Sequence, residues 1–516
     1  MEREAETIRR PSNIRFGIIL SYVSLAIGIL SNIFYTPFLL SHVGDRQYGI
    51  YSFVLSITSW FNIFTFALND SYIKIASEHD QDPNNKGLIN SLYIKLLFLI
   101  SLGILFVSTV LFVLFKFDII PLTKYDSSEK NILLIIFVMS SLSISISTIL
   151  TLFKLSLHYK EKFILIKSIA LIEQLSSLGI SVAAILLGAN IVIVALIKMS
   201  ETAVFLFIIF LIAKFHFKID FKKTKLSENK GLVKYIVYFC SFMLLGTIIG
   251  EINSSADKIL LGFMAGAEYV SIYQLAFTFP SLFGQLSTAI NAVFVPKINE
   301  LRNNNREDEL KDTYLKISLI QTVILFLIFG GFISCGKEFV KMWVGEERIV
   351  VYYIATVLIG IDTYYFCSYS AVSIEVAYFK QKIPCLIELI IMILNVVITA
   401  ILLGVLGIEY AYMSCLIGTA FAKILGKWIV IPNYDKRALN LPIGKFRISF
   451  FTYFLFSIAT AAIIILISEF TSIKDLHHVL RFIIKGCLFA VCYFAFVIIK
   501  KDYKVFKKKN FDQFTS

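Results

Sequence analysis

Charge is scarce in this sequence, and no polar stretch is long enough to fold by itself. Only 16% of its 516 residues are Asp, Glu, Lys or Arg, 57% are hydrophobic, and the mean hydropathy is +0.78. That composition lies far from the roughly even balance of a soluble domain and excludes a water-soluble fold. The apolar density runs from Phe16 to Ile499 without a break, which leaves one membrane domain where a soluble chain of this length would hold about three. Cysteines are few, seven in all (Cys240, Cys335, Cys367, Cys385, Cys415, Cys487 and Cys492), and none stands in a C-x-x-C spacing or near a histidine cluster. No disulfide and no metal site are expected.

Catalytic signatures are missing as well. There is no Ser/His/Asp, H-E-x-x-H or paired-carboxylate pattern on an external segment, and the longest such loop, 116–130, is too short to form a catalytic domain. One run, Gly331-Phe-Ile-Ser-Cys-Gly336-Lys337-Glu338, nearly spells a phosphate-binding P-loop. Glu338 stands where Ser or Thr is required, and the run ends an apolar helix instead of joining a strand to a helix. The expectation is a protein with no catalytic residues, no cofactor and no ATPase activity of its own.

What is present is a series of apolar segments of bilayer length. A spanning helix needs about 20 mostly apolar residues. By that rule spans begin near Phe16, Gln47, Ile89, Asn131, Phe163, Ile191, Tyr235, Glu268, Tyr314, Val350, Ile383, Ile408, Arg447 and Val479. The fold class is therefore all-α integral membrane with about fourteen helices. The turns at 188–190 and 404–407 are the places where two spans could be one long helix. The first apolar run, about 25 residues, is too long for a signal-peptide core and is expected to remain as the first span.

The net charge of +13 is spread over short loops and is not gathered on one helix or tail, so a membrane explains it better than a nucleic-acid partner. With the N-terminus placed in the cytoplasm, the inside segments carry 33 Lys and Arg and the outside segments carry 9. This positive-inside asymmetry predicts a multi-pass protein of the cell (inner) membrane with both termini cytoplasmic.

Sliding the chain by 222 residues reveals an internal repeat. Leu39, Gly44, Ile50, Tyr51, Ser59, Phe61, Ala67 and Asn69 then meet Leu261, Gly266, Ile272, Tyr273, Ser281, Phe283, Ala289 and Asn291, eight identities in 31 positions. Six spans separate the copies, so they share an orientation, as in a parallel repeat. The layout that follows is an N-terminal segment (1–15), a first six-helix lobe (16–213), a basic linker (214–234), a second lobe (235–431), two added helices (432–499) and a basic tail (500–516).

Ionisable side chains inside spans cost about 2.5–3.5 kcal/mol each at mid-bilayer and are candidates for function. In the seventh span Glu251, Ser254, Ser255 and Lys258 fall at i, i+3, i+4 and i+7, with Asn253 and Asp257 in a second polar row. Such a stripe faces an aqueous cavity or a neighbouring helix. Its alternatives are a buried interhelical network and, for Asp257 and Lys258, an interfacial position. Glu173, Glu201 and Asp362 are further near-central acids. Glu201 has Lys198 one turn away to neutralise it, whereas Glu251 and Asp362 have no partner in their own helices and are candidates to bind a driving proton or sodium ion. The cations Arg15, Lys95, Lys167, Lys423 and Lys427 fall in the cytoplasmic halves of their helices, where they would attract an anionic substrate or simply snorkel to headgroups. Asn69, Asp70 and Lys74 close the second span and Asn291, with Pro296-Lys297, closes the eighth, as gate ends or plain terminators.

Fourteen helices in two lobes plus two, with Gly44-x-x-x-Tyr48-Gly49-Ile50-Tyr51 in the first external turn, resemble the polysaccharide repeat-unit flippases of the multidrug, oligosaccharidyl-lipid and polysaccharide exporter superfamily. The second copy, Val270-Ser271-Ile272-Tyr273, lacks the second glycine. The resemblance implies a V-shaped cavity between lobes that opens alternately to either side. It also implies a polyprenyl-diphosphate-linked oligosaccharide as substrate, carried from inner to outer leaflet for cell-surface polysaccharide biosynthesis. Membrane lipids and a polysaccharide polymerase or other assembly proteins are the partners it implies. Two other readings compete: a cation-coupled drug antiporter of the same superfamily, and a membrane glycosyltransferase, polymerase or scaffold of the same pathway.

Overall fold

The computed structural model describes residues 11–78, 83–471, 473 and 476–503. Long apolar runs become long helices: α1 (Pro11–Thr58), α2 (Asn62–Glu78), α3 (Pro83–Lys116), α4 (Ser127–Tyr159), α5 (Phe163–Leu186), α6 (Ile191–Leu211), α7 (Lys230–Met264), α8 (Ala267–Asn303), α9 (Glu307–Val344), α10 (Val350–Cys367), α11 (Ser370–Ala377), α12 (Lys382–Leu406), α13 (Ala411–Lys423), α14 (Ile431–Ala438), α15 (Ile443–Phe470) and α16 (His478–Ile499). No strand occurs among the described residues. Residues 1–10 and 504–516, which hold most of the expected N-terminal segment and basic tail, lie outside the described residues.

Eleven helical segments among the described residues are long and apolar enough to cross a bilayer, or up to twelve with the bent α7 counted as one. The fourteen spans expected from the sequence exceed that number for two reasons. One segment, Val23–Glu78, is 56 residues long. At 1.5 Å per residue it would be roughly 84 Å, far more than one 30 Å hydrocarbon crossing. Gly44, at φ 78°, breaks it where the sequence ends its first span. The other reason is α8, which carries Pro280 and Pro296 and is not among those segments. The two doubtful turns are real breaks. Gly188 (φ 87°) separates α5 from α6, where Asn190 Oδ1 accepts from the Ile193 amide at 3.1 Å, and Gly407 (φ 81°) separates α12 from α13.

The chain forms two compact units, Met1–Ser271 and Ile272–Ser516. In the first, α3 packs on α4, α4 on α6 and α1 on α5, while α7, the helix expected to open the second lobe, packs on α2 and α1. In the second, α9 is the hub for α10, α15 and α16, and α12 pairs with α13. The two C-terminal helices dock on α9 through small-to-large contacts. A Cβ on Gly330 would stand 2.1 Å from the Phe489 ring, and Tyr493 Oη donates to the Val323 carbonyl at 2.8 Å.

The first-turn motif has a physical explanation inside the first unit. Gly44 turns the chain, and Gly49 lets it touch the start of α8, where an added Cβ would lie 1.8 Å from the Ala267 carbonyl oxygen. Tyr48, Ile50 and Tyr51 are buried beside it. Polar contacts close the same corner: Ser271 Oγ donates to Asp45 at 3.1 Å, Arg46 pairs with Glu129 at 2.9 Å and Tyr125 Oη donates to the Gly262 carbonyl at 3.0 Å. The repeat is legible in the backbone too. Gly44 and Gly266 both take positive φ, and Leu39/Leu261, Tyr51/Tyr273 and Phe61/Phe283 are buried in both copies.

Candidate functional site

Within the first unit α1, α5 and α6 line an open cavity of about 380 Å³. Each helix brings polar residues to it at helical spacing: Gly28, Ser31, Asn32 and Tyr35 from α1, Glu173, Gln174 and Ser177 from α5, and Lys198, Glu201 and Thr202 from α6. Gly28 makes room, because a Cβ there would meet Gln174 Nε2 at 2.8 Å. Glu201 is only 9% exposed, yet neither carboxylate oxygen has a hydrogen-bond partner. The expected neutralisation by Lys198 does not occur as an ion pair; Lys198 Nζ lies 4.2 Å from the centroid of the Tyr35 ring, a cation–π contact. A carboxylate withdrawn from water without a donor costs several kcal/mol. Glu201 from α6 and Glu173 from α5 line the same cavity. Glu173 and Glu201 stand out in the sequence as acids in apolar spans; the α1 residues and Gln174 do not, although Gly28, Ser31, Asn32 and Tyr35 form an i, i+3, i+4, i+7 row.

The second unit brings together candidates that the sequence kept apart. Lys423 Nζ bonds both carboxylate oxygens of Asp362, at 2.8 and 2.9 Å, with both side chains under 10% exposed. Lys427 pairs with Glu388 at 3.2 Å and lies 3.7 Å over the Tyr365 ring. Residues 424–430 form a π-helical segment, a widened turn that recurs at functional sites. Arg447 Nη2 donates to its Trp428 carbonyl at 3.0 Å, and Trp428 Nε1 donates to the Ile361 carbonyl at 2.8 Å. The two lysines are thus held against carboxylates from other helices, partners that no single-helix reading could reveal. A third buried pair, Lys485–Glu338 at 2.6 Å, ties α16 to α9 and accounts for the Glu338 of the near-P-loop run, which is continuous helix.

The remaining candidates are dispersed. In α7 Ser254 and Ser255 hydroxyls bond the Glu251 carbonyl, and Trp60 Nε1 donates to Ser255 Oγ at 2.8 Å, so the stripe faces the junction of α1 and α2. One Glu251 carboxylate oxygen there is buried without a hydrogen-bond partner. Asp257 and Lys258 are half-buried on the same helix. Lys95 donates to the Thr224 carbonyl, and Lys167 is exposed. Asn69 and its repeat equivalent Asn291 each keep a buried, unbonded side-chain oxygen, while Asn291 Nδ2 donates to Ser373 Oγ at 2.7 Å. The Asp70 side chain and Arg15 side chain lie outside the described residues. No group of three or more His, Cys, Asp or Glu that could hold a metal ion occurs among the described residues.

Long apolar helices and buried ion pairs between them define a polytopic α-helical membrane protein, and its fold is shared with a flippase and with transporters of known structure. It is similar to the lipid II flippase MurJ, with a TM-score of 0.71 and 16% identity over 94% of this chain and 99% of that one. It is also similar to a multidrug resistance MATE family transporter of the MOP superfamily, with a TM-score of 0.57 and 10% identity over 80% and 95% of the two chains. The Vibrio cholerae MATE transporter VcmN matches with a TM-score of 0.55 and 13% identity over 83% and 98%. No curated protein matches the sequence. Residues 15–302 match the family described as polysaccharide biosynthesis protein, and the chain belongs to that family.

Proposed function

We propose that this protein is a flippase that moves a polyprenyl-diphosphate-linked oligosaccharide repeat unit from the inner to the outer leaflet by alternating access. Membership of the polysaccharide biosynthesis family, across more than half of the chain, is the observation that carries the reading. The fold it shares with a lipid II flippase supports it. The protein sits in the cell membrane with both termini cytoplasmic, crosses it about fourteen times and is not an enzyme. Cation exchange at Glu201, with Glu173 in the same lining, drives the cycle, because the buried Glu201 carboxylate, without donors, changes its energy when it binds a proton or a sodium ion. The test is the leaflet distribution of lipid-linked oligosaccharide in cells with and without the protein, read with an impermeant lectin. Intact units trapped inside when it is missing are the expected result; units that reach the outer face normally overturn it.

A second reading, a cation-coupled exporter of small molecules, is favoured by the acidic character of the same cavity. It predicts unchanged lipid-linked sugars in the deletion and a proton- or sodium-dependent efflux of cationic dyes.

A further inference from the structure

The segment between α6 and α7 is not a loose tether. Lys222 N donates to the Gly87 carbonyl at 3.1 Å, Asn90 Nδ2 to the Asp220 carbonyl at 3.0 Å and Lys160 Nζ to the Phe217 carbonyl at 2.8 Å, and Lys95 Nζ bonds the Thr224 carbonyl. These contacts strap residues 217–224 across the starts of α3 and the end of α4. Residues 214–234 hold seven lysines against two acids, and Lys218, Lys222, Lys223 and Lys225 are all exposed, with Lys225 Nζ 3.8 Å from the Glu228 carboxylate. Phe215 and Phe221 are exposed between them, 68% and 44%. Beside the strap lies a groove of about 380 Å³, lined by Ile94, Lys95, Phe98, Leu99, Ile149 and Leu226. Phe98 and Leu99 are both half exposed.

Exposed lysines and aromatic rings on one segment, with an apolar furrow beginning one turn further along α3 from Lys95, are complementary to a single amphiphile: negative at its head and aliphatic below. Neither a soluble anion nor a neutral lipid uses both halves. We infer that the strap and the α3–α4 groove form a binding site for an anionic glycerophospholipid of the resident bilayer. Its phosphate sits among Lys222, Lys223, Lys225 and Lys95, and one acyl chain lies along Phe98, Leu99 and Ile149. In the orientation proposed above this is the inner leaflet, but the binding itself is independent of what the protein transports.

The experiment is native mass spectrometry of the purified full-length protein with phosphatidylglycerol and with phosphatidylcholine of the same acyl chains. Unmodified protein is expected to retain phosphatidylglycerol at least tenfold better, and to lose that preference as ionic strength rises from about 0.01 to 1 M, over which the screening length falls from roughly 30 to 3 Å. Lys222→Gln/Lys223→Gln/Lys225→Gln should weaken phosphatidylglycerol binding on the order of 100-fold, about fivefold for each lysine removed, and leave phosphatidylcholine unchanged. Leu99→Trp, which fills the groove and touches no lysine, should also weaken it. Equal retention of the two lipids, a preference that is flat with salt, or indifference to either variant overturns the site. Displacement by farnesyl diphosphate at lower concentration than by phosphatidylglycerol overturns it too, since it would give the groove to a polyprenyl-diphosphate cargo.

Discussion

Asp362 and Lys423 offer the sharpest test of whether a buried ion pair in this protein is architecture or machinery. At 2.8 Å two unit charges attract by roughly 6 kcal/mol at an effective dielectric of 20, and both groups have been withdrawn from solvent to make the pair. Removing one partner leaves the other buried and unmatched, so Asp362→Leu and Lys423→Met alone should each destabilise the protein by about 3–5 kcal/mol. Removing both replaces the pair by apolar groups and should be nearly neutral, or stabilising by up to about 4 kcal/mol. The measurement is a double-mutant cycle of unfolding in mixed micelles, followed by transport in cells. A double variant that is stable and still transports makes the pair a clamp between α10 and α13; a stable double variant that no longer transports makes it part of the mechanism. Single variants that cost less than 1 kcal/mol, or whose effects simply add in the double, would refute the reasoning, because an uncoupled pair cannot be the buried contact described.

Other changes probe other links. Glu201→Gln should keep the fold and slow transport driven by an imposed cation gradient at least tenfold, and gradient-dependent rates equal to those of the unmodified protein would remove Glu201 from the coupling step. Gly49→Ala places a Cβ against the Ala267 carbonyl and should destabilise the first unit by about 1–3 kcal/mol, read as lower membrane abundance and earlier thermal unfolding. Trp60→Phe leaves the Ser255 hydroxyl without its donor and should cost about 1 kcal/mol, with Ser255→Ala in the same background adding little.

The sequence by itself determined the solvent, the class and the periodicity. Apolar runs of bilayer length can satisfy their backbone only as helices, so the all-α membrane fold followed from composition. Positive-φ glycines at 44, 188, 266 and 407 fell where turns were read, because few other residues accept that backbone. The 222-residue repeat was visible for the same reason, since its matched residues are turn glycines and buried side chains. Glu173 could be singled out as an acid in an apolar span. Most of its surroundings could not, because Tyr35 on α1 and Glu201 on α6 come from helices that sequence spacing does not relate to α5.

Only the tertiary structure decided which charges neutralise which. From one helix at a time Asp362 had no partner, Glu201 had Lys198, and Lys423 and Lys427 were free to attract an anion. In the fold Asp362 takes Lys423 from α13, Lys427 takes Glu388 from α12, and Lys198 turns to Tyr35 and leaves Glu201 undonated in its cavity. Ion pairing falls off over a few ångströms, and contacts at that range between different helices are set by how the helices pack, which hydrophobic periodicity does not encode.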